Sequence, residues 1–317
     1  MGRPRAFPKE SSVFNRNASI PIARWTSWFA VVAVLTALFL LAFTGCSSGG
    51  PVKESVDKYS WAELSQIATE IHDAASDEEG LEIAIENHLL DSSGKCDGKT
   101  ISVTLSNGVV AHVALVGVRA DDLADGGKAG LTFMFVDAPA IAAMSEDASN
   151  DGGWEKSAMR SWLNSDFADM LPSDLKGVIK AASKKTNNSA FTTPGAVSST
   201  SDKLWLPSYV EVAGSASPND LVGGSGIPAE TYNMEGKQYK LFSEKGVTAG
   251  AENSVLERAF VGKEGNGLVM EGEASPWWLR SLSMTWTSGY AVCDADGNPL
   301  NAWIPDHEIG VSPGFCL

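Results

Sequence analysis

The stretch Pro276-Trp277-Trp278-Leu279-Arg280-Ser281 constrains this chain more than any other. Two adjacent indoles followed by Leu-Arg carry too much apolar area for a solvated loop. Read as a strand, the segment sends Trp277 and Trp278 to opposite faces, one into the core and the other against a second layer or a cleft. Arg280 then shares a face with Trp278, where its guanidinium stacks on an aromatic ring or pairs with a buried acid. The plain reading is a central core strand, because buried aromatics mostly serve packing. The sharper reading is a strand that touches a ligand. The tail Gly310-Val311-Ser312-Pro313-Gly314-Phe315-Cys316-Leu317 is expected to seal the sheet beside it.

The chain has 317 residues, 44% hydrophobic and 20% charged, a globular composition long enough for one large domain with appendages or for two domains. Its formal net charge is -15. Arg3, Arg5, Lys9, Arg16 and Arg24, against Glu10, fall in the first 45 residues, so the remainder holds 19 basic and 38 acidic residues. Such a surface repels phosphate backbones, which excludes a nucleic-acid partner.

Residues 1–27 are polar and basic, and Trp28 to Phe43 is an almost unbroken apolar run. The run is shorter than the ~20 residues of a spanning helix and fits the hydrophobic region of a signal peptide. Leu41-Ala42-Phe43-Thr44-Gly45-Cys46 then resembles the lipobox of bacterial lipoproteins. That resemblance implies a signal peptide over 1–45, cleavage before Cys46, a lipid on Cys46 and a flexible tether over 46–57. The cell membrane is then a partner through the lipid anchor, and the folded part is extracytoplasmic. The alternative is an uncleaved signal anchor with Cys46 as a spare thiol, and it leads to the same side of the membrane. Beyond the tether only Cys96, Cys293 and Cys316 remain. Their odd number leaves at least one unpaired. A Cys293–Cys316 bridge is one expectation, and Cys316 as a small buried hydrophobe is the other.

Ser60-Trp61-Ala62-Glu63 reads as a capping box, and Ser76-Asp77-Glu78-Glu79 repeats the pattern. Apolar residues follow each at helical spacing, so residues 58–95 are expected to form a short helical pair, a spacer before a surface domain over 96–317. From Cys96 the period becomes two: Ile101, Val103 and Leu105 alternate, and Asn107-Gly108 turns the chain into a partner strand from Val109 to Val118. Leu131 to Val136 is a buried strand. Trp154, Ala158 and Trp162 predict a helix packed on the sheet, and Leu204-Trp205-Leu206 a short strand that stops at Pro207. Asp296-Gly297 between two apolar segments is another hairpin pattern.

Several of these segments together resemble the successive blocks of a bacterial domain of unknown function, common in secreted and surface proteins of gut-type Gram-positive bacteria. They are Asp121 to Gly130, Gly152-Gly153-Trp154, Met159 to Asn164, Asp202 to Ser208, Trp277 to Ser281 and Gly310 to Phe315, spanning roughly 97–317. Many members end in Gly-Val-Arg-Pro, where this chain has Ser312 in place of the arginine. A more distant resemblance is to the C-type-lectin-like fold of formylglycine-generating enzymes and retroelement-diversified binding proteins. The fold expected is therefore α+β, an antiparallel, C-type-lectin-like mixed sheet with packed helices after the short helical pair. A fold carries no activity by itself, and Cys293 and Cys316 do not match the close cysteine pair of those enzymes.

Catalytic signatures are sparse. There is no GxSxG, no phosphate-cradling Gly-Lys loop and no paired histidines at ligand spacing. Asp294-Ala295-Asp296-Gly297-Asn298 imitates half a calcium loop, but Pro305 stands where the closing acid belongs, which excludes an EF-hand. No cofactor is expected. Calcium at a non-EF site is the one alternative that composition leaves open. The leading expectation is a non-catalytic module binding a carbohydrate or peptide through Trp278, Arg280, Trp286, Tyr290 and Trp303. The alternatives are a hydrolase using Asp294, Asp296 or His307, and a structural envelope protein whose aromatics are all core.

Overall fold

The two capping signatures set the first elements of the folded part. In the computed structural model, which describes residues 50–189, 197–217, 227–263, 265–267 and 269–317, Ser60 caps the helix Trp61–Asp73. Its hydroxyl accepts from the Glu63 N–H at 3.3 Å, and the Glu63 carboxylate accepts from the Ser60 N–H at 2.7 Å. Ser76 opens the helix Asp77–Glu86 by accepting from the Glu79 N–H at 3.2 Å. The expected signal peptide and Cys46 lie outside the described residues.

The helical pair is not a spacer, which corrects the expected boundary at 95–96. Gly49–Leu317 forms one compact unit, and Trp61, Leu64, Ile67, Ala68 and Ile71 are buried in its core. The Trp61 ring meets Phe133 and Phe315 edge-on at centroid distances of 5.7 and 5.9 Å, and those two phenyl rings stack at 5.6 Å. Gly130 permits the approach, since a Cβ there would lie 2.0 Å from the Ala68 carbonyl oxygen. Arg119 closes the joint. Its guanidinium donates to the carbonyls of Ile71 and His72 at the end of the first helix and to Asp77 at the start of the second. An amphipathic pair this short cannot cover its own apolar faces, so the sheet must.

Among the described residues the strands form three sheets. The first has the antiparallel order β1-β2-β3-β11, from Thr100–Thr104, Val110–Val118, Leu131–Phe135 and Gly314–Cys316. The β1–β2 turn is the expected Asn-Gly hairpin, with Gly108 at φ 80° and the Asn107 side chain accepting from the Val109 N–H. The second has the order β4-β10-β7-β8-β9, from Ala140–Ala142, Ile309–Val311, Trp277–Leu282, Tyr290–Cys293 and Asn301–Trp303, parallel only between β10 and β7. A two-stranded ribbon pairs β5, Ala182–Asn187, with β6, Val197–Asp202. Short helices pack around them, and the class is α+β as expected.

Two local expectations change. The helix through Trp154 breaks into Gly153–Lys156 and Ala158–Trp162, because Ser157 turns extended and caps the second piece through the Arg160 N–H. The apolar segment at Leu204 to Leu206 reduces to a single bridge between Trp205 and Gly314.

Both indoles of the organising strand are fully buried and meet different segments. Trp277 donates to the Leu256 carbonyl at 2.9 Å beneath the Arg258 guanidinium, which lies 4.8 Å from the ring centroid. Trp278 donates to the Ala142 carbonyl at 2.9 Å and meets Tyr290 edge-on. The tail joins two sheets rather than sealing one, since β10 belongs to the second and β11 to the first. At the crossing Ser312 donates to the Phe135 carbonyl at 2.7 Å and accepts from Arg258 Nε at 3.0 Å. The guanidinium at this junction thus comes from Arg258. Cys293 and Cys316, in different sheets, are free thiols, so the bridge considered from sequence does not form.

Because the helical pair is part of the core, Trp61→Ala is expected to cost about 3–5 kcal/mol. Thermal unfolding should show one transition at lower temperature. An unchanged midpoint, or a separate early transition for the helices, would contradict the docking.

Candidate functional site

The β5 strand places two adjacent lysines on opposite sides of the ribbon, as the twofold strand period requires: Lys184 is 2% exposed and Lys185 faces solvent. The Lys184 ammonium makes a short contact with Asp121, and lies 2.5 Å from Glu211 Oε1 and 3.2 Å from the Tyr239 hydroxyl. Three acceptors match its three protons. Glu211 is itself the fourth residue of a capping box. Ser208 starts the helix Tyr209–Ala213, and the Glu211 carboxylate accepts from the Ser208 N–H at 2.9 Å. On its other side the carboxylate takes Arg280 in a fork, Nη1 at 2.5 Å and Nη2 at 3.0 Å.

Arg280 uses its remaining donors on the Thr186 hydroxyl and on the carbonyls of Leu206, Lys185 and Glu235. One side chain thereby ties β7 to β5, to the Leu206 segment and to the residues after the helix Ala229–Asn233. Above this network lies a cleft of about 430 Å³. Lys184, Asp121, Glu211, Glu235 and Tyr239 reach it from below, and Lys128, Lys185 and Lys237 stand around it.

Electrostatics divide the two glutamates. Burial opposes ionisation of Glu211, but Arg280 and Lys184 outweigh it and hold its pKa at about 2. Burial pushes Glu235 up to about 7, against the pull of Arg280 and of the bonds from the Ser281 hydroxyl and the Asn187 N–H, while Glu211 adds to the rise. Burial and then the Asp121 and Glu211 carboxylates raise the Tyr239 phenol well above 10. Burial also raises the three described thiols, Cys96 to about 12, which makes them poor nucleophiles.

The five residues expected to line one binding surface separate. Trp278 and Arg280 are 0% exposed and Tyr290 1%, so these three do not face a ligand directly. They sit between layers because β7 and β8 are interior strands of the second sheet. Arg280 takes the second option offered from sequence, a buried acid. Trp286 is 42% exposed and Trp303 half-buried, both near Gly289 at the β8–β9 end, where Trp303 meets His307 edge-on at 5.5 Å. His307 stands on the surface beside Asp306 at 3.2 Å. Asp294 accepts from the N–H groups of Asp296 and Asn298, the bonding of a turn. Among the described residues no group of three His, Cys, Asp or Glu side chains is arranged to hold a metal ion.

Sequence reasoning did not single out Lys184, Asp121, Glu235 or Tyr239. The Ser208-x-x-Glu211 spacing was the one signal present, since it marks a capping box at the head of a buried helix.

Residues 132–317 match the family described as a domain of unknown function, DUF6273. The chain belongs to that family. The match spans more than half of the chain and begins within β3, so the helical pair, β1, β2 and Asp121 precede it. Within it the sequence blocks noted above meet one another. Trp154 and Arg160 both donate to Asp202, at 3.0 and 2.6 Å, and Asn164 brackets Lys203 and Leu204. Trp205 pairs with Gly314, and Arg280 holds Leu206. No curated protein and no solved structure matches the chain.

Two consequences are measurable. Glu211→Ala leaves two buried cations short of their anion and is expected to cost about 3–5 kcal/mol, read from the denaturant midpoint. Glu235, raised from its ordinary 4.5 to about 7, contributes stability that is present below pH 4.5 and lost as pH rises through 7. Glu211, lowered to about 2, contributes stability present above 4.5 and lost as pH falls towards 2. Glu235→Gln should therefore abolish its share of the decline between pH 4.5 and 7 and leave the acid limb intact, and an unchanged upper slope would refute the assignment.

Proposed function

We propose that the chain is an extracytoplasmic surface protein, held at the cell membrane by a lipid on Cys46, whose folded part is a non-catalytic module binding a carbohydrate or peptide. The observation that supports binding is the cleft of about 430 Å³ over the Lys184–Glu211–Arg280 network. A floor whose charges are already paired does not reorganise when a ligand enters, so little binding energy goes into ordering it. The resemblance to C-type-lectin-like binding domains agrees with this reading as an analogy of fold only. The lipobox and the flexible residues after it support the anchor.

The hydrolase reading has less support, because His307 contacts Asp306 and Trp303 on an exposed turn while Asp294 serves its own turn. The envelope-protein reading keeps one specific observation in its favour, the burial of Trp278, Arg280 and Tyr290.

Cys46→Ala is expected to prevent incorporation of labelled fatty acid and to move the protein from the detergent phase to the aqueous phase. Retention of label would refute the anchor. On a glycan and peptide array, with and without calcium, the full chain should give a saturable ligand. An empty array in both conditions would favour the envelope protein.

A further inference from the structure

A second depression of about 350 Å³ adjoins the cleft and shares Ala120, Lys128 and Lys237 with it. The two form one elongated groove. Its charge differs from that of the rest of the protein. After residue 45 acids outnumber bases two to one. The groove, by contrast, has six basic residues (Arg119, Lys128, Lys184, Lys185, Lys237 and Lys240) against six acids. At physiological salt only charges within about 8 Å act strongly on a ligand, so this local balance decides what enters.

Pairing then tips the balance. Asp121 and Glu211 are held by Lys184, with Arg280 behind Glu211. Asp122 pairs with Lys128 at 2.7 Å, Asp77 with Arg119 at 2.8 Å and Glu244 with Lys240 at 2.9 Å. Glu235, the sixth acid, is buried, with its carboxyl bonded to Ser281 and Asn187. Lys185 and Lys237 are left exposed at the mouth, and neither has an ion-pair partner among the described residues.

We infer that this groove binds a carboxylate-bearing glycan, with Lys185 and Lys237 meeting its charges; the inference rests on the ligand-binding reading above. The walls favour a sugar over an acidic peptide. Ser183, Ser199 and Asn233 line the cleft with hydroxyl and amide groups suited to a polyol. Met234, 43% exposed at the edge, offers an apolar surface for the C–H face of a ring. A peptide strand asks instead for a series of apolar pockets for alternate side chains, which this polar lining does not supply.

The test titrates the full chain, in detergent micelles, with an oligogalacturonate, with its neutral methyl ester and with a polyglutamate of matched charge. The acid sugar should bind at least about tenfold more tightly than the ester. Lys185→Gln and Lys237→Gln should each weaken it about twofold to fivefold, and the double variant about tenfold. The thermal midpoint should not change, because both side chains are exposed. Equal binding of acid and ester would overturn the charge requirement and leave a glycan-binding module standing. Polyglutamate binding as tightly as the acid sugar would overturn the glycan assignment. Silence of all three probes overturns this inference, and the array then decides separately whether the chain binds any ligand.

Discussion

The Glu211 carboxylate is the anion on which the centre of this protein depends. It caps its own helix, neutralises Lys184 from one strand and accepts the Arg280 fork from another. Removing three charges from water is unfavourable unless nearly every donor and acceptor finds a partner. Here the ammonium has three acceptors, and Arg280 reaches five residues across four segments. Such a network adds little net stability compared with an apolar core of the same volume. Its effect is to admit one arrangement of β5, β7 and two short helices, since any other leaves a charge unpaired.

That arrangement explains why the polar cleft lies where it does. Charged residues that a sheet cannot bury must end near a surface, and the ribbon alternation sends Lys184 down and Lys185 up at the same point. The floor is rigid because its bonds are complete, and the mouth is adaptable because its lysines are not paired there. The exposed Trp286 and half-buried Trp303 form a separate, less enclosed surface at the far side of β8 and β9.

The tail works on a larger scale. Five residues after β10 begins, the same chain is pairing with β3 in another sheet. Ser312 and Arg258 hold the crossing, and Gly310 allows it, since a Cβ there would stand 2.8 Å from the Pro276 carbonyl oxygen. The family blocks lie together for the same reason: the tail, the Trp205 segment and the Trp-Trp strand close on each other late in the chain.

Much of the local structure was legible in the residues. Ser60 and Ser76 mark helix starts, Asn107-Gly108 marks a hairpin, and Trp277-Trp278 marks a buried strand, because each depends on interactions within a few residues or on apolar area. The docking of the helical pair, the burial of Arg280 and Tyr290 and the whole ion network were not legible. Lys184 meets Asp121 across 63 positions and Arg280 meets Glu211 across 69. Nothing in the neighbourhood of a lysine in a Ser/Thr/Asn-rich segment tells it from a solvated one. The sequence by itself determined which segments turn, cap and seek the interior. Only the tertiary structure decided which charges share that interior, because pairing energy depends on distance in space and the desolvation that makes it necessary appears only once the layers close.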